Sequence, residues 1–135
     1  MSGCRHVILT ERARSYPLTH QILDRLNPDQ VKVISGLDLK RLPYAPDQII
    51  LDVKQTRFFH KCPGTQHYLC CGYFILESSF NCPFHCQYCF LRFYLNNPHT
   101  IIYVNTDDLF RELAHIHTRL GPGRMIRVGT GEFTD

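Results

Sequence analysis

Three cysteines within eight consecutive residues constrain this chain more than any other feature of its sequence. Cys82, Cys86 and Cys89 are spaced as C-x3-C-x2-C, with the aromatic Tyr88 directly before the last of them. A loop with this spacing can wrap three thiolates around one small inorganic group, and a [4Fe–4S] cluster ordinarily takes four thiolates. Three thiolates would leave one iron without a protein ligand, so the pattern predicts a cluster with one open coordination position.

The cysteine content also bears on the compartment. The chain of 135 residues has 7 cysteines, and its first sixteen residues contain no apolar core of signal-peptide length. In a reducing compartment, cysteines more often bind metal or carry out redox chemistry than form a disulfide framework. No apolar stretch approaches the length of a membrane span. We therefore expect a cytoplasmic protein with no membrane partner.

The composition is that of a globular domain with a weak positive charge. The chain is 44% hydrophobic and 20% charged, with a formal net charge of +3. Its lysines and arginines are scattered rather than grouped in a basic run. This balance permits a nucleic-acid partner but does not argue for one. The oligomeric state does not follow from the sequence.

The N-terminal third predicts a small βαβ unit. Residues 6–10 and 31–35 read as strands because they are rich in β-branched and apolar residues. Between them, residues 18–26 place apolar side chains at helical spacing, after Pro17 and before Asn27-Pro28. Residues 36–46 then form a linker that contains two prolines. We expect this unit to pack on the rest of the protein without taking part in its chemistry.

The next segment combines a predicted strand with a polar stretch. Residues 48–53 are predicted to form a strand, and residues 54–66 are polar and mixed. Aromatic and basic side chains alternate in the second stretch, at Arg57, Phe58, Phe59, His60 and Lys61. Such a patch can face nucleic acid. The interpretation we favour is a solvated loop with two anchored rings.

A second group of cysteines precedes the triplet. Cys62, Cys70 and Cys71 can be ligands of an auxiliary cluster or metal ion, or small buried apolar side chains, which free cysteines commonly are. Adjacent residues on a strand point to opposite faces, so Cys70 and Cys71 cannot easily hold one ion. The buried interpretation is favoured.

Around the triplet, predicted strands lead to one clear helix. Residues 73–80 are predicted to form a strand that delivers the chain to the cysteines, and residues 101–104 are β-prone. Thr106 is the predicted cap of the helix. Asp107 and Asp108 suit its positive N-terminal end.

The helix carries an apolar stripe and precedes a further strand. Its apolar residues recur at helical spacing, at Leu109, Leu113, Ile116 and Leu120. Residues 121–123 (Gly-Pro-Gly) end it. His115 and His117 are predicted to be surface residues rather than metal ligands. Residues 125–128 are predicted to form a strand whose tip carries the sequence Gly-Thr-Gly-Glu at 129–132.

These motifs resemble those of the radical S-adenosylmethionine (radical SAM) enzymes. The triplet with an aromatic residue before its last cysteine is similar to the signature of that superfamily. Further segments fall in the order seen in the spore photoproduct lyase branch, and the likeness extends over nearly the whole chain. The segments are Tyr16-Pro17-Leu18, Tyr88-Cys89-Phe90-Leu91, Tyr103-Val104-Asn105 and Gly129-Thr130-Gly131-Glu132. The closer likeness is to the lyase-like radical SAM proteins of that branch.

The resemblance implies an α/β fold that ends in a partial (β/α)6 barrel. We expect an N-terminal βαβ-like unit and linker over residues 1–47, and the start of the radical SAM barrel over residues 48–135. Its cluster loop would span residues 80–91. Only about the first two βα units of such a barrel are expected in 135 residues, so the sequence is interpreted as a truncated fragment.

The resemblance also implies a cofactor chemistry. Cys82, Cys86 and Cys89 would hold a [4Fe–4S] cluster, whose open iron binds the amine and carboxylate of S-adenosylmethionine (SAM). One electron, from a reductant protein of the flavodoxin or ferredoxin type, would cleave SAM to methionine and a 5′-deoxyadenosyl radical. The residues implied to contact SAM are Tyr88, Gly129, Thr130, Gly131 and Glu132.

One departure bears on the substrate. By resemblance, spore photoproduct lyases carry a cysteine just after the second barrel strand, which returns a hydrogen to the substrate radical. That position falls at or near Gly131–Glu132, and no cysteine follows Cys89. Lyase-like chemistry in DNA repair is therefore a weaker expectation than SAM cleavage, and the catalytic residues stay unassigned.

Two alternatives remain. The triplet with His85 or Cys71 can hold a structural zinc ion in a nucleic-acid-binding module. Zinc sites usually come as two separated ligand pairs, however, and a second pair is not evident. The other alternative is an inactive fragment, because half a barrel leaves a sheet edge open and a core half covered.

Overall fold

The computed structural model describes most of the chain. The described residues are 5–45, 47–64, 67, 69, 72–82, 84, 86–90 and 97–131. Predictions that fall on Cys70, Cys71, His85 or Glu132 lie outside this part.

The described elements are eight strands, two α-helices and one short 3-10 turn. The strands are β1 (His6–Thr10), β2 (Gln30–Ile34), β3 (Gln48–Asp52), β4 (Phe59–Lys61), β5 (Phe74–Leu76), β6 (Ser79–Phe80), β7 (Thr100–Tyr103) and β8 (Val128–Thr130). The helices are α1 (Pro17–Leu26) and α2 (Thr106–Leu120). A short 3-10 turn, Glu11–Ala13, follows β1.

The first sheet has the order β2-β1-β3-β7-β6 within the described residues. Strand β1 pairs in parallel with both β2 and β3, and β3 pairs in parallel with β7. The predicted βαβ unit of β1, α1 and β2 is confirmed. Its sheet continues into β3 without a break, and the division of the chain near residue 47 stays a prediction.

The core lies on both faces of this sheet because the inner positions of its central strands are apolar. One face buries Val7, Leu9 and Leu51, together with Val104 from the turn that follows β7. Helix α1 covers this face with its apolar stripe. The other face buries Ile8, Ile50 and Ile101, under residues of the segment that follows β2. Neighbouring residues of a strand point to opposite faces, which explains the alternation.

The second sheet has the order β4-β5-β8. Strand β4 is antiparallel to β5, and β5 is parallel to β8. The prediction of a loop at residues 54–66 was wrong for Phe59–Lys61, which form β4. The predicted anchored rings are confirmed, since Phe58 and Phe59 are both buried. Strand β8 begins at Val128, later than the predicted span of 125–128.

The strand predicted over residues 73–80 is two strands in different sheets. Strand β5 ends at Leu76 in the second sheet, and β6 pairs antiparallel with β7 in the first. Glu77 lies between them, with its amide donating to the carbonyl of Phe58 at 2.8 Å. Its carboxylate forms an ion pair with Lys54, so this segment is not one continuous apolar strand. The chain thus steps from one sheet to the other at Glu77.

Helix α2 begins one residue earlier than predicted. Asn105 is the N-cap and Thr106 is the first helical residue, with Asp107 and Asp108 in the first turn. Gly121 follows the helix with a φ of 73°, a conformation that favours glycine. His115 and His117 are exposed, as predicted. No helix among the described residues is long and apolar enough to cross a membrane.

Candidate functional site

The loop that carries the cysteine triplet is held at its base by two asparagines. Asn81 has a left-handed backbone, with a φ of 65°. Its side-chain amide donates to the carbonyl of Asn97 at 2.8 Å, and its side-chain oxygen accepts the amide of Cys82 at 2.8 Å. Asn81 and Asn97 therefore join the two ends of the loop, a role that the sequence did not reveal.

The three cysteines of the triplet are free thiols. Cys86 is exposed, whereas Cys82 and Cys89 are partly buried. The amide of Cys89 donates to the carbonyl of Cys86 at 3.2 Å, which closes a turn between the second and third thiols. Among the described residues, however, no three Cys, His, Asp or Glu side chains are grouped closely enough to hold a metal ion.

Three described aromatic residues of this loop are exposed. Tyr88 is 94% exposed, and Phe84 and Phe90 are 58% and 74% exposed. Large aromatic side chains are ordinarily at least partly buried. These exposed rings lie on the same loop as the three thiols.

The glycine-rich segment forms the tip of β8. Gly131 has a φ of 93°, a conformation that glycine adopts without strain, and its amide donates to the carbonyl of Leu76 at 2.8 Å. At Gly129, a Cβ atom would collide with the ring of Tyr73. The space that this glycine leaves open is therefore occupied by Tyr73. Thr130 is exposed, and Glu132 lies outside the described residues.

The strands that lead to the two motifs end side by side in the second sheet. Strands β5 and β8 are parallel and paired, so their carboxyl ends lie together. The chain leaves β5 at Leu76, passes through β6 of the first sheet and then enters the cysteine loop. Gly131 follows β8 and donates its amide to the carbonyl of Leu76. In parallel α/β sheets, ligands bind outside the carboxyl ends of the strands, so this edge is the candidate site.

A buried ion pair lies behind this edge, and sequence reasoning missed it. The ammonium of Lys54 is 2.7 Å from a carboxylate oxygen of Glu77, and the lysine side chain is only 6% exposed. The same ammonium lies 4.5 Å from the centre of the Tyr103 ring. Burial, with the nearby Glu77 and Asp52 carboxylates, raises the pKa of Tyr103 to about 12. Its phenol therefore stays neutral at physiological pH.

A second polar group lies at the carboxyl ends of β1 and β3. The hydroxyl of Thr10 donates to a carboxylate oxygen of Asp52 at 2.7 Å, and the Arg12 guanidinium lies 3.9 Å from that oxygen. Asp52 is 7% exposed and Thr10 is fully buried. The carboxylate is thus oriented by a neutral donor and a cation, and it fixes the turn that leaves β1.

The second cysteine group is described only in part. Cys62 is partly buried, and its amide donates to the carbonyl of Tyr73 at 2.9 Å, next to the pairing of β4 with β5. Cys70 and Cys71 lie outside the described residues. An auxiliary site at these cysteines stays a prediction that the structure does not test.

Three solved structures with this fold are all of spore photoproduct lyase. A cysteine-to-alanine mutant with dinucleoside spore photoproduct superposes with a TM-score of 0.71 at 19% identity. A double mutant with bound AdoMet and dinucleoside spore photoproduct gives 0.70 at 18% identity. The lyase complexed with dinucleoside spore photoproduct gives 0.68 at 21% identity. Each match covers 97% of this chain.

The matches confirm the predicted fold class. The chain has the α/β fold of part of spore photoproduct lyase, a radical SAM enzyme, and spans 40% of the length of those lyases. No protein-family model matches the sequence, and no curated protein matches it closely.

Proposed function

We propose that this chain provides the cofactor-binding part of a radical SAM enzyme of the spore photoproduct lyase type. The observation that carries the proposal is the meeting of two strand ends. Strand β5, from which the chain runs through β6 to the cysteine loop, ends beside β8, which carries the Gly-Thr-Gly segment, in a fold that matches spore photoproduct lyase. The strands that lead to two motifs separate in the sequence thus end side by side in a fold known for this chemistry.

The residues at the loop fit a cluster by their chemistry. Cys82, Cys86 and Cys89 are free thiols on one short loop, and thiolates are the usual ligands of iron–sulfur clusters. The loop ends are joined at Asn81 and Asn97, while Cys86 is exposed. A loop that is fixed at its base and open at its middle can close its thiols around a cluster. When bound, the cluster would supply the electron that cleaves SAM to methionine and a 5′-deoxyadenosyl radical.

The other residues at this edge would bind and shield SAM. Gly131 follows β8 in a conformation that glycine adopts readily. Glu132 follows it in sequence and is assigned the methionyl ammonium, because a carboxylate pairs well with an amine. The exposed ring of Tyr88 is assigned the adenine, and Gly129 and Thr130 complete the segment. The barrel around such a site excludes water from the reacting groups.

The substrate and partners are proposed by likeness to the matched lyases. One of those lyases was solved in complex with dinucleoside spore photoproduct, so a DNA lesion is the proposed substrate class. A flavodoxin- or ferredoxin-type protein is the proposed electron donor, in a reducing, cytoplasmic compartment. The position expected for the hydrogen-donating cysteine, at or near Gly131–Glu132, is not a cysteine, so the proposal leaves the hydrogen donor unassigned.

Replacing Cys86 by alanine tests the cluster assignment. After anaerobic reconstitution, we expect the natural chain to hold about four irons and four sulfides, the content of one cubane cluster. The Cys86→Ala chain should hold almost none, because two thiolates cannot retain the cluster. Iron and acid-labile sulfide are measured on the purified proteins.

The matched control is Cys62→Ala, which removes a partly buried thiol outside the triplet. It should keep its iron. Equal iron loss in both variants would contradict the assignment to the triplet. Tightly bound zinc without iron in the natural chain would support the structural zinc module instead, and a chain that binds neither metal would support the inactive fragment.

A further inference from the structure

A basic groove lies between helix α2 and strand β4. Its larger part has a volume of about 610 Å³, and a smaller part of about 320 Å³ adjoins it. The two parts share the lining residues Phe59, Ile116, Leu120 and Ile126. Because they share these residues, the two parts adjoin each other.

The walls of the groove are cationic on both sides. Arg57 and Lys61 line it from the β4 side, Arg119 lines it from the helix, and Arg124 lines its smaller part. None of the four forms an ion pair with any described residue. Uncompensated cations that face each other across a groove repel one another, and an anionic occupant relieves that repulsion.

The one carboxylate that lines the groove among the described residues is already engaged. Glu112 accepts the amide of Phe58 at 2.8 Å with one oxygen and the amide of Phe59 at 3.3 Å with the other. It ties helix α2 to the start of β4, and its single negative charge offsets only one of the four cations. The groove thus presents a net positive surface to any occupant.

The floor of the groove is apolar and partly aromatic. The rings of Phe59 and Phe74 are stacked, with centroids 5.0 Å apart and planes 11° apart. Ile116, Leu120 and Ile126 extend this floor. Phe59 is buried beneath this floor, and an occupant meets the partly exposed Phe74, Ile116, Leu120 and Ile126. Apolar surface beside cationic walls suits single-stranded nucleic acid, which combines apolar bases with a charged backbone. An acidic peptide supplies the charge but not the apolar bases.

The groove is separate from the proposed SAM site. Phe74, which lines the groove, is the first residue of β5, whereas the cysteine loop follows the other end of that strand. Ile126 likewise precedes β8, while Gly131 follows it. We infer that this groove binds a single-stranded nucleic acid by its phosphates, independently of any cluster.

The test is binding of a fluorescein-labelled oligothymidylate to the 135-residue chain, followed by fluorescence anisotropy over a series of salt concentrations. The buffer contains EDTA and no iron, so the result does not depend on cluster assembly. The Arg57→Gln/Arg119→Gln chain should bind about tenfold more weakly at low salt. Its plot of log affinity against log salt should be shallower by about 1.4, since each phosphate contact on a single strand contributes about 0.7.

The matched control is Arg25→Gln/Lys32→Gln, which removes the same charge from exposed positions on α1 and β2. It should bind within about twofold of the natural chain. Equal weakening in both double variants would show a general charge effect and overturn the inference. So would no binding by the natural chain, or binding of polyglutamate as tightly as the oligonucleotide. Circular dichroism spectra confirm that both variants are folded.

Discussion

Replacing Lys54 by methionine is expected to destabilise the chain by about 3 kcal/mol. The substitution keeps the length of the side chain but leaves the Glu77 carboxylate without its cation, 2.7 Å away in the natural protein. Breaking a buried ion pair by removing one partner costs about 3–5 kcal/mol. The lower end applies because the Glu77 side chain keeps 23% exposure. The free energy of unfolding is measured by urea denaturation with circular dichroism.

Two further variants isolate the cause of that loss. Lys32→Met makes the same chemical change at an exposed position of β2 and should change the free energy of unfolding by less than about 0.5 kcal/mol. The Lys54→Met/Glu77→Met chain should recover most of the stability, because both charges are then gone. If the Lys54→Met chain were as stable as the natural chain, the Lys54–Glu77 ion pair would not stabilise the contact between the ends of β3 and β5.

Replacing Asn105 by alanine is expected to destabilise the chain by a similar amount, about 3 kcal/mol. Asn105 is 1% exposed. Its side chain accepts the amide of Lys54 at 2.9 Å and donates to the carbonyl of Lys54 at 3.1 Å and to Asp108 at 2.8 Å. Alanine would leave both backbone groups of Lys54 buried without a partner, at about 1–3 kcal/mol each. The free energy of unfolding is again measured in urea.

Amide exchange of Lys54 gives a local readout of the same substitution. In the natural chain the Lys54 amide is buried against Asn105 and should exchange slowly; in Asn105→Ala it should exchange much faster. Gln55→Ala is the control, since Gln55 is exposed and next in sequence. Unchanged protection of the Lys54 amide in Asn105→Ala would contradict the role assigned to this side chain.

Local sequence patterns predicted the two helices, because the residues that begin and end a helix lie next to it in the sequence. Helix α1 was predicted by its apolar spacing, and its Pro17 start and its end before Asn27 were confirmed. Helix α2 was predicted with its stripe and its Gly121 end, and only its cap differed, because Asn105 lies one residue before Thr106. In both helices the signals lie within one turn of each end, where capping physics acts.

What the sequence did not predict depends on pairs that are distant along the chain. Lys54 meets Glu77 across 23 residues and Asn105 across 51. Strand β4 is short, and its pairing with β5 rather than its own composition defines it. A charge inside an apolar run, as at Glu77, looks like an exposed residue until its buried partner is known. This is why the step between the two sheets was missed.

For the candidate site, the two motifs were predicted from the sequence. The structure adds that β5 and β8, the strands that lead to them, end side by side. The order of the cysteine triplet and the Gly-Thr-Gly segment can be read from the sequence. The parallel pairing of β5 with β8, which brings their carboxyl ends together, cannot. The assignment of individual ligands to Cys82, Cys86 and Cys89, and of SAM contacts to residues 129–132, stays a prediction.

The measurement that tests the central proposal most directly is electron paramagnetic resonance of the anaerobically reconstituted, dithionite-reduced chain, recorded with and without SAM. The proposal predicts the signal of a reduced [4Fe–4S] cluster whose g-values change when SAM is added, because SAM binds the iron that the three cysteines leave open. A cluster signal that is identical with and without SAM would contradict the open site. A chain that shows no cluster signal after reconstitution would contradict the proposal as a whole.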